Sequence, residues 1–301
     1  MLNHLIAAPT GGFVGVDVFF VVSGFLITGL LLRERERTGR ISMRQFFARR
    51  IRRIMPAAVT TIAMTTALSF LILSPSRANA TLGDGFFASI FLANWRFAAS
   101  GTDYFPTDTG VSPLQHFWTL SVEEQFYLVW PWLLIAVLAI AAAAAAKAGK
   151  QLTTTSQRRI LAAVLIPIVA ASLIWSIVET ATAPSVAYFA TASRIWELGA
   201  GALLAVGAPL FARLETNART TLAIAGLTGI VASMVLLTEA SPVPGPLALI
   251  PVLATAALLA SGIGGENALQ RPLAHPVMTR IGDMSYSIYL WHFPVIVFAA
   301  M

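Results

Sequence analysis

The sequence predicts an all-α fold, a polytopic bundle of about eight membrane helices. Of its 301 residues, 57% are hydrophobic and only 11% are charged, whereas about a quarter of the residues in a soluble globular domain are charged. The apolar residues form eight segments, each close to the roughly 20 residues that a helix needs to cross a bilayer. These segments are 13–32, 56–74, 120–140, 160–178, 190–208, 220–238, 246–262 and 283–301. We expect one transmembrane domain over residues 1–301 and no soluble domain.

The basic residues predict how these segments cross the membrane, because cytoplasmic loops are enriched in lysine and arginine. Nine arginines lie between Arg33 and Arg53, which places that loop in the cytoplasm. Alternation then puts 141–159, 209–219 and 263–282 on the same side, and the four stretches together hold 17 of the 20 lysines and arginines. The net charge of +6 therefore reflects topology in a plasma membrane rather than nucleic-acid binding.

Other features refine this outline. The absence of cysteine excludes disulfides and thiolate nucleophiles, and no spacing typical of a metal site is present, so we expect no metal. Residues 75–115 form the longest outer loop, in which 86–97 predicts a short interfacial helix. Four tryptophans predict an aromatic belt near the outer boundary: Trp95, Trp118, Trp175 and Trp196.

The first apolar segment contains a motif of small residues and one acid. Asp17, Gly24 and Thr28 are spaced by seven and four, so they share one face of a helix. Two interpretations stay open. The face packs against another helix, with Asp17 favoured by the helix dipole, or it admits a ligand.

An arginine cluster follows at 46–56 and ends in a proline. Arginine suits phosphate because its planar guanidinium donates two parallel hydrogen bonds and stays charged. The cluster therefore predicts either a phosphate site or an anchor to anionic lipids at the inner membrane surface. Its members are Arg49, Arg50, Arg52 and Arg53.

The segment 116–131 begins with a histidine and two adjacent carboxylates, and then becomes apolar. On a helix, His116, Glu123 and Tyr127 share a face, which suggests proton-transfer chemistry. The alternative is helix capping, because Ser121 and Glu124 match a capping box. In that alternative, Glu124 is the glutamate with the structural role, and Glu123 remains the candidate for chemistry.

Two further motifs contain ionisable residues in apolar surroundings. Arg194 and Glu197 are three residues apart and predict an ion pair. Ser285 and His292 share a face near the end of the chain, where Pro294 frees a backbone carbonyl. A hydrogen-bonded core histidine and a catalytic one are both compatible with this pattern.

In this order, the motifs resemble the acyltransferase 3 family of integral membrane proteins. The resemblance rests on Gly-Phe-Val-Gly-Val-Asp-Val-Phe-Phe-Val-Val-Ser-Gly-Phe-Leu-Ile-Thr at 12–28, the arginine cluster closed by Pro56, His-Phe-Trp-Thr-Leu-Ser-Val-Glu-Glu-Gln-Phe-Tyr at 116–127, and Ser-Tyr-Ser-Ile-Tyr-Leu-Trp-His-Phe-Pro at 285–294. Family members usually begin with a full span before a histidine that matches His4. Because Met1 lies only three residues before His4, and the far end stops inside or just after a predicted span, we expect a chain truncated at both ends.

The resemblance implies transfer of an acyl group, usually acetyl, from cytoplasmic acyl-CoA as co-substrate to a hydroxyl of a cell-envelope glycan or similar acceptor. It implies no permanently bound cofactor. From the resemblance we expect the catalytic base to be His4 first and His116 second, supported by Glu123, Glu124 and Asp17. It also implies that the four arginines of the cluster bind the acyl-CoA. The residues expected to belong to structural motifs are Gly15, Ser23, Gly24, Tyr127, Arg194, Glu197, Ser285 and His292. The competing hypotheses are a glycan or lipid transporter with a proton relay, and an inactive truncated remnant.

Overall fold

In the computed structural model, residues 10–101, 110–265 and 268–301 are described, and within these ranges the chain is helical without strands. This confirms the predicted all-α class. The helices are α1 (Gly15–Thr38), α2 (Met43–Ile72), α3 (Pro75–Ser89), α4 (Ala93–Ala99), α5 (Phe117–Lys147), α6 (Thr154–Thr182), α7 (Pro184–Phe189), α8 (Thr191–Phe211), α9 (Thr216–Leu236), α10 (Leu249–Ser261) and α11 (Pro276–Ala299).

Among the described residues, six helices are long and apolar enough to cross a membrane: α1, α2, α5, α6, α8 and α9. They overlap the first six predicted segments. The seventh segment corresponds to a shorter apolar helix, Pro246–Ser261. The eighth lies in α11, whose first turns carry Arg280 and Asp283. The last two elements therefore differ in length or polarity from the six long spans.

Close approach of α1 and α8 forms the most extensive interhelical contact. A Cβ atom added to Gly24 would lie 1.9 Å from the Leu198 carbonyl oxygen, and one added to Gly201 would lie 2.0 Å from that of Val21. Only glycine permits backbones to approach this closely. The packing interpretation of the Gly24 face is therefore confirmed, and this contact fixes the helix that holds Asp17 and Ser23.

Helix α5 runs beside α1 in the same direction. Phe20 and Trp118 pack edge to face at 6.1 Å between ring centroids. Further along both helices, Trp130 Nε1 donates to Thr28 Oγ1 at 2.9 Å. Positions along α1 and α5 consequently match in depth, which brings the acidic motif of α5 beside Ser23.

The long outer loop corrects the prediction of a single helix over 86–97. Two helices, α3 and α4, meet instead at Phe91, whose φ of 56° interrupts helical geometry. A Cβ atom on Gly85 would lie 3.0 Å from Thr66 Oγ1 and 3.2 Å from the Ile62 side chain. Helix α3 therefore folds back along α2 rather than lying alone at the membrane surface.

The predicted tryptophan belt is also partly wrong. Trp95 and Trp175 are exposed, but Trp118 and Trp196 are only 1% and 2% exposed. Trp118 packs against Tyr188 and Phe189 in the core. Trp118 lies on the side of α5 that faces the core. The prediction used only its position along the sequence, which does not tell which side of the helix it occupies.

A proline inside α8 creates a polar contact between helices. Pro209 has no N–H, so the Ala205 carbonyl lacks its helical donor. Arg158 Nη1 donates to this carbonyl at 3.0 Å and to the Val206 carbonyl at 2.9 Å. Arg158 Nη2 also binds Glu36 Oε1 at 2.7 Å, so one side chain joins α1, α6 and α8.

Candidate functional site

The first group of buried ionisable residues is Asp17, Arg194 and Glu197. We call it the outer triad, after its side of the membrane in the topology predicted from the basic residues. The predicted pairing of Arg194 with Glu197 is confirmed, with Nη1 2.9 Å from Oε1. The same Nη1 lies 2.8 Å from Asp17 Oδ1 on α1, a partner that sequence spacing did not indicate. All three side chains are at most 1% exposed. The guanidinium thus offsets part of the cost of burying two carboxyl groups and ties α1 to α8.

Arg194 is further held by aromatic and backbone contacts. Its Nε donates to the Tyr188 carbonyl oxygen at 3.1 Å. Its Cζ lies 4.8 Å from the ring centroid of Tyr188 and 5.3 Å from that of Trp118. One arginine therefore fixes the segment before α8, the start of α5 and the start of α1.

A second group, the central cluster, consists of Ser23, Arg50, Glu123, Glu124 and Tyr127. Ser23 Oγ donates to Glu123 Oε1 at 2.5 Å. Tyr127 OH donates to the same oxygen and also contacts the Ser23 hydroxyl. These three side chains are buried in the apolar bundle. The predicted shared face of Glu123 and Tyr127 is therefore present, and Ser23 from α1 completes it.

Arg50 joins this cluster from α2. Its Nη2 donates to Glu124 Oε1 at 2.6 Å, and its Cζ lies 3.4 Å from the centroid of the Tyr127 ring. The guanidinium thus interacts with a carboxylate and with the face of an aromatic ring at once. Arg50 links the arginine motif directly to the acidic motif of α5.

This contact corrects the capping-box interpretation of Ser121 and Glu124. Helix α5 begins at Phe117, so Ser121 lies inside it rather than at its N-terminus. Ser121 Oγ donates to the Phe117 carbonyl and accepts from the Ala93 N–H at 3.2 Å. Glu124 is consequently a partner of Arg50 and not of the helix end.

The four motif arginines fall into two groups. Arg50 is half-buried, whereas Arg49, Arg52 and Arg53 are exposed. Arg49 Nη2 lies 3.5 Å from Glu34 Oε2 at the end of α1. Three guanidinium groups therefore face the surroundings of the bundle, and the fourth faces its interior.

A third group surrounds His116, which immediately precedes α5. His116 Nε2 lies 3.0 Å from the Leu290 carbonyl oxygen. Pro294, four residues after Leu290, has no N–H to donate to that carbonyl. Because a carbonyl only accepts, Nε2 carries the proton in this contact, which makes Nδ1 the basic nitrogen of the neutral ring. The carbonyl freed by Pro294 thus orients His116.

His292 packs against His116 with 5.6 Å between ring centroids. Its Nδ1 donates to the Tyr289 carbonyl at 2.5 Å, and Tyr289 OH donates to the His116 carbonyl at 2.7 Å. Thr119 also contacts the Tyr289 hydroxyl. Ser285 is exposed and bonds to Gly282 on its own helix, so the described contacts do not bring it into this group.

The hydrogen bonds described for His116 and Glu123 lead to different partners. His116 Nε2 bonds to Leu290, whereas Glu123 Oε1 accepts from Ser23 and Tyr127. His4, the other predicted base, lies outside the described residues. The structure thus provides two distinct polar groups along α5, with Glu123 in the deeper one.

The depth of these groups follows from the rise of a helix, about 1.5 Å per residue. Ser23 lies six residues beyond Asp17 on α1, or about 9 Å deeper. Arg35, near the inner end of the same helix, lies about 18 Å further on. The central cluster is therefore inside the bundle, between the outer triad and the basic inner loop.

Comparison with known proteins adds a family match. The model of a family described as an acyltransferase domain matches residues 2–301. The chain is 31% identical over 297 residues to the peptidoglycan O-acetyltransferase OatA of Listeria monocytogenes, covering 95% of the chain and 45% of that protein. It is 31% identical over 299 residues to a candidate O-acetyltransferase of Staphylococcus aureus, covering 96% and 47%.

A candidate peptidoglycan O-acetyltransferase of Bacillus subtilis, YrhL, is 30% identical over 296 residues, which cover 95% of the chain and 44% of that protein. The chain therefore spans less than half the length of each of these relatives. No solved structure matches the chain.

Proposed function

The chain belongs to this acyltransferase domain family, and from that membership we propose that it moves an acyl group, most simply acetyl, from acyl-CoA to a hydroxyl of a cell-envelope glycan. The proposal includes a plasma-membrane location with the arginine loop in the cytoplasm. Relatives named as peptidoglycan O-acetyltransferases support the choice of a glycan acceptor.

The observation on which the proposal chiefly depends is the central cluster. Within an apolar bundle, Arg50 contacts both Glu124 and Tyr127. Tyr127 and Ser23 each donate a hydrogen bond to Glu123. Ionisable groups within a membrane are costly and are retained mainly where they serve a function. A chain of such groups that starts beside the inner arginines supports the handling of a polar substrate between the two membrane faces.

The donor end of the proposed reaction is the arginine motif. Arg49, Arg52 and Arg53 are exposed at the start of α2, where their guanidinium groups are available for the phosphates of CoA. Arg50 would connect the bound donor to the central cluster through Glu124. The thioester would then lie toward the bundle interior, with CoA on the cytoplasmic side.

In the transfer step, the acceptor hydroxyl oxygen attacks the thioester carbonyl carbon, a base takes the hydroxyl proton, and the C–S bond breaks to release the CoA thiolate. We assign the base first to His4 and second to His116, whose Nδ1 is the basic nitrogen in the tautomer described above. Glu123 would stabilise the charge that develops. In the alternative route, a histidine nitrogen attacks the thioester and the CoA thiolate leaves; the acceptor hydroxyl then attacks the acyl-histidine, whose C–N bond breaks to release the histidine.

The test is a transfer assay on membranes that contain the full chain. Acetyl-CoA labelled in the acetyl group is incubated with these membranes and with isolated envelope glycans, and label in the glycan is measured. We expect label transfer that depends on the protein and is released by mild base, as an O-acyl ester requires. Bound acetyl-CoA without any label in the glycan would contradict the proposal.

A further inference from the structure

A cavity of about 350 Å³ lies at the outer end of the bundle, away from the central cluster. Its volume falls within the range of about 300–1,000 Å³ that is usual for ligand sites. Six of the residues that line it have side chains suited to ligand contact: Phe13, Thr180, Ser185, Tyr188, Glu239 and Ser241. They come from the start of α1, the end of α6, α7 and the segment between α9 and α10.

The lining segments place this cavity on the side opposite the arginine loop. Helix α6 has Arg158 and Arg159 near its first residues, on the side of the arginine loop, and it carries the lining residue Thr180 near its other end. Helix α9 likewise begins near Arg219 and leads to Glu239. The Gly11 N–H donates to the Met234 carbonyl at 2.9 Å, which holds the start of α1 against the end of α9. In the topology predicted from the basic residues, the cavity therefore lies on the outer side, where the proposed acceptor glycan would be.

The clearest sign of a ligand is Thr180. Its side chain is 7% exposed, yet its Oγ1 has no hydrogen-bond partner in the described part of the chain. A buried hydroxyl without a partner costs free energy, so such groups in native proteins usually meet water or a ligand. Thr180 lines the cavity and offers one donor and two acceptor sites to its contents.

The rest of the lining indicates which chemical class fits. Ser185, Ser241 and Glu239 can exchange hydrogen bonds with several hydroxyls, and Phe13 and Tyr188 supply aromatic surface. The described lining contains no lysine or arginine, which disfavours phosphate and anionic lipid headgroups because those need a cation. Hydroxyl partners beside aromatic rings match a neutral sugar.

We propose that this cavity binds one sugar ring of the acceptor glycan, an inference that rests on the function proposed above. Tyr188 connects the cavity to the rest of the molecule. Its ring lines the cavity, and its carbonyl and ring both contact Arg194 of the outer triad. The buried ion cluster thereby holds one wall of the sugar site in place. Asp17 and Arg194 are positioning residues in this arrangement.

The test measures sugar binding and acyl transfer separately, with the full chain in phosphatidylcholine nanodiscs. The probe is the tetramer of N-acetylglucosamine, and its affinity is measured by calorimetry. Thr180→Val removes only the unpartnered hydroxyl, and Glu239→Gln removes the charge of an exposed side chain. We expect each to weaken binding about tenfold. Thr182→Val is the matched control, since Thr182 is exposed on the same helix and bonds to its own backbone; its affinity should equal that of the wild type.

In the transfer assay, Thr180→Val and Glu239→Gln should each raise the acceptor KM about tenfold and leave the acyl-CoA KM unchanged. Equal affinity in all four proteins would overturn the sugar site, and so would displacement of the tetramer by phosphatidylglycerol added to the nanodiscs. Sugar binding that is lost in Thr180→Val, in a protein that transfers no acyl group, would support the cavity and refute the proposed function. Acyl transfer by Thr180→Val with an unchanged acceptor KM would support the proposed function and refute the sugar site.

Discussion

Glu123 and Glu124 are neighbours in sequence but face different partners. Successive residues of an α-helix point about 100° apart, so Glu123 turns toward Ser23 on α1 while Glu124 turns toward Arg50 on α2. The two adjacent glutamates of the motif therefore have different roles. One carboxylate lies inside the central cluster, and the other connects that cluster to the arginine motif.

Substitution of Glu123 tests the first role. Glu123→Gln keeps the size of the side chain but removes its charge, so we expect kcat for acyl transfer to fall about 10²- to 10³-fold, the usual contribution of a group that stabilises charge in the transition state. Membrane levels of the protein serve as the control for folding. Glu215→Gln, at an exposed helix end outside the site, should keep the wild-type rate. Wild-type kcat in Glu123→Gln would rule out the role given to this carboxylate.

The arginine motif offers a second test, because its members differ in burial. Arg50→Gln leaves Glu124 without its partner, and we expect a loss of about 1–3 kcal/mol in the free energy of unfolding. The double change Arg49→Gln with Arg52→Gln removes exposed charges. It should leave stability unchanged and weaken acyl-CoA binding about tenfold.

Denaturation and calorimetric titration of the two variants provide these measurements. Should the double variant bind acyl-CoA as tightly as the wild type, the exposed arginines would serve topology or lipid contact instead of the donor.

At the scale of whole elements, proline positions decide where helices offer free carbonyls. Pro294 leaves the Leu290 carbonyl to His116, and Pro209 leaves the Ala205 carbonyl to Arg158. Both contacts join helices that are distant in sequence. A proline that costs helix stability locally thus provides a fixed acceptor for a side chain on another helix.

Pro294→Ala should restore an N–H that competes with His116 for the Leu290 carbonyl. We expect α11 to gain stability, because proline is unfavourable inside a helix, and His116 to lose its fixed tautomer. Nitrogen NMR of labelled histidine would show this as a smaller population of the Nε2–H form, accompanied by slower transfer. Pro209→Ala, on α8, is the control and should leave the His116 signal unchanged. An unaltered His116 signal in Pro294→Ala would refute the orienting role.

The contact between α1 and α8 makes a separate prediction about glycine. Gly24→Ala places a methyl group where the Leu198 carbonyl now lies, at 1.9 Å, and must push the helices apart. We expect a loss of about 1–3 kcal/mol, the usual cost of overpacking. Gly15→Ala, near the start of the same helix, meets nothing within 4 Å and should be neutral or stabilising.

Thermal unfolding of both glycine variants in nanodiscs is the measurement. Equal melting temperatures would show that the two helices can separate without cost.

For the molecule as a whole, sequence reasoning succeeded where the cause was local. Apolar runs predicted helices because a segment without water must satisfy its own backbone, and three-residue spacing predicted the pairing of Arg194 with Glu197. It did not find Asp17 as a partner of this pair, since Asp17 and Arg194 are 177 positions apart in the sequence. It left Glu124 open between a helix cap and a role beside the catalytic base, and it did not pair Glu124 with Arg50, which is 74 positions away. It could not foresee the outer cavity, because four parts of the chain enclose it: the start of α1, the end of α6, α7 and the segment between α9 and α10.

The closure of the central cluster has an electrical consequence. Ser23, Glu123 and Tyr127 bond to one another directly and are 5%, 7% and 3% exposed, so the polar groups are satisfied without a file of water between them. A row of water molecules linking the two membrane faces would conduct protons and dissipate the proton-motive force. The direct contacts among these three side chains leave no room for such a row of water between them. An acyl group that crosses at this depth must separate these hydrogen-bonded side chains while the surrounding helices continue to exclude water.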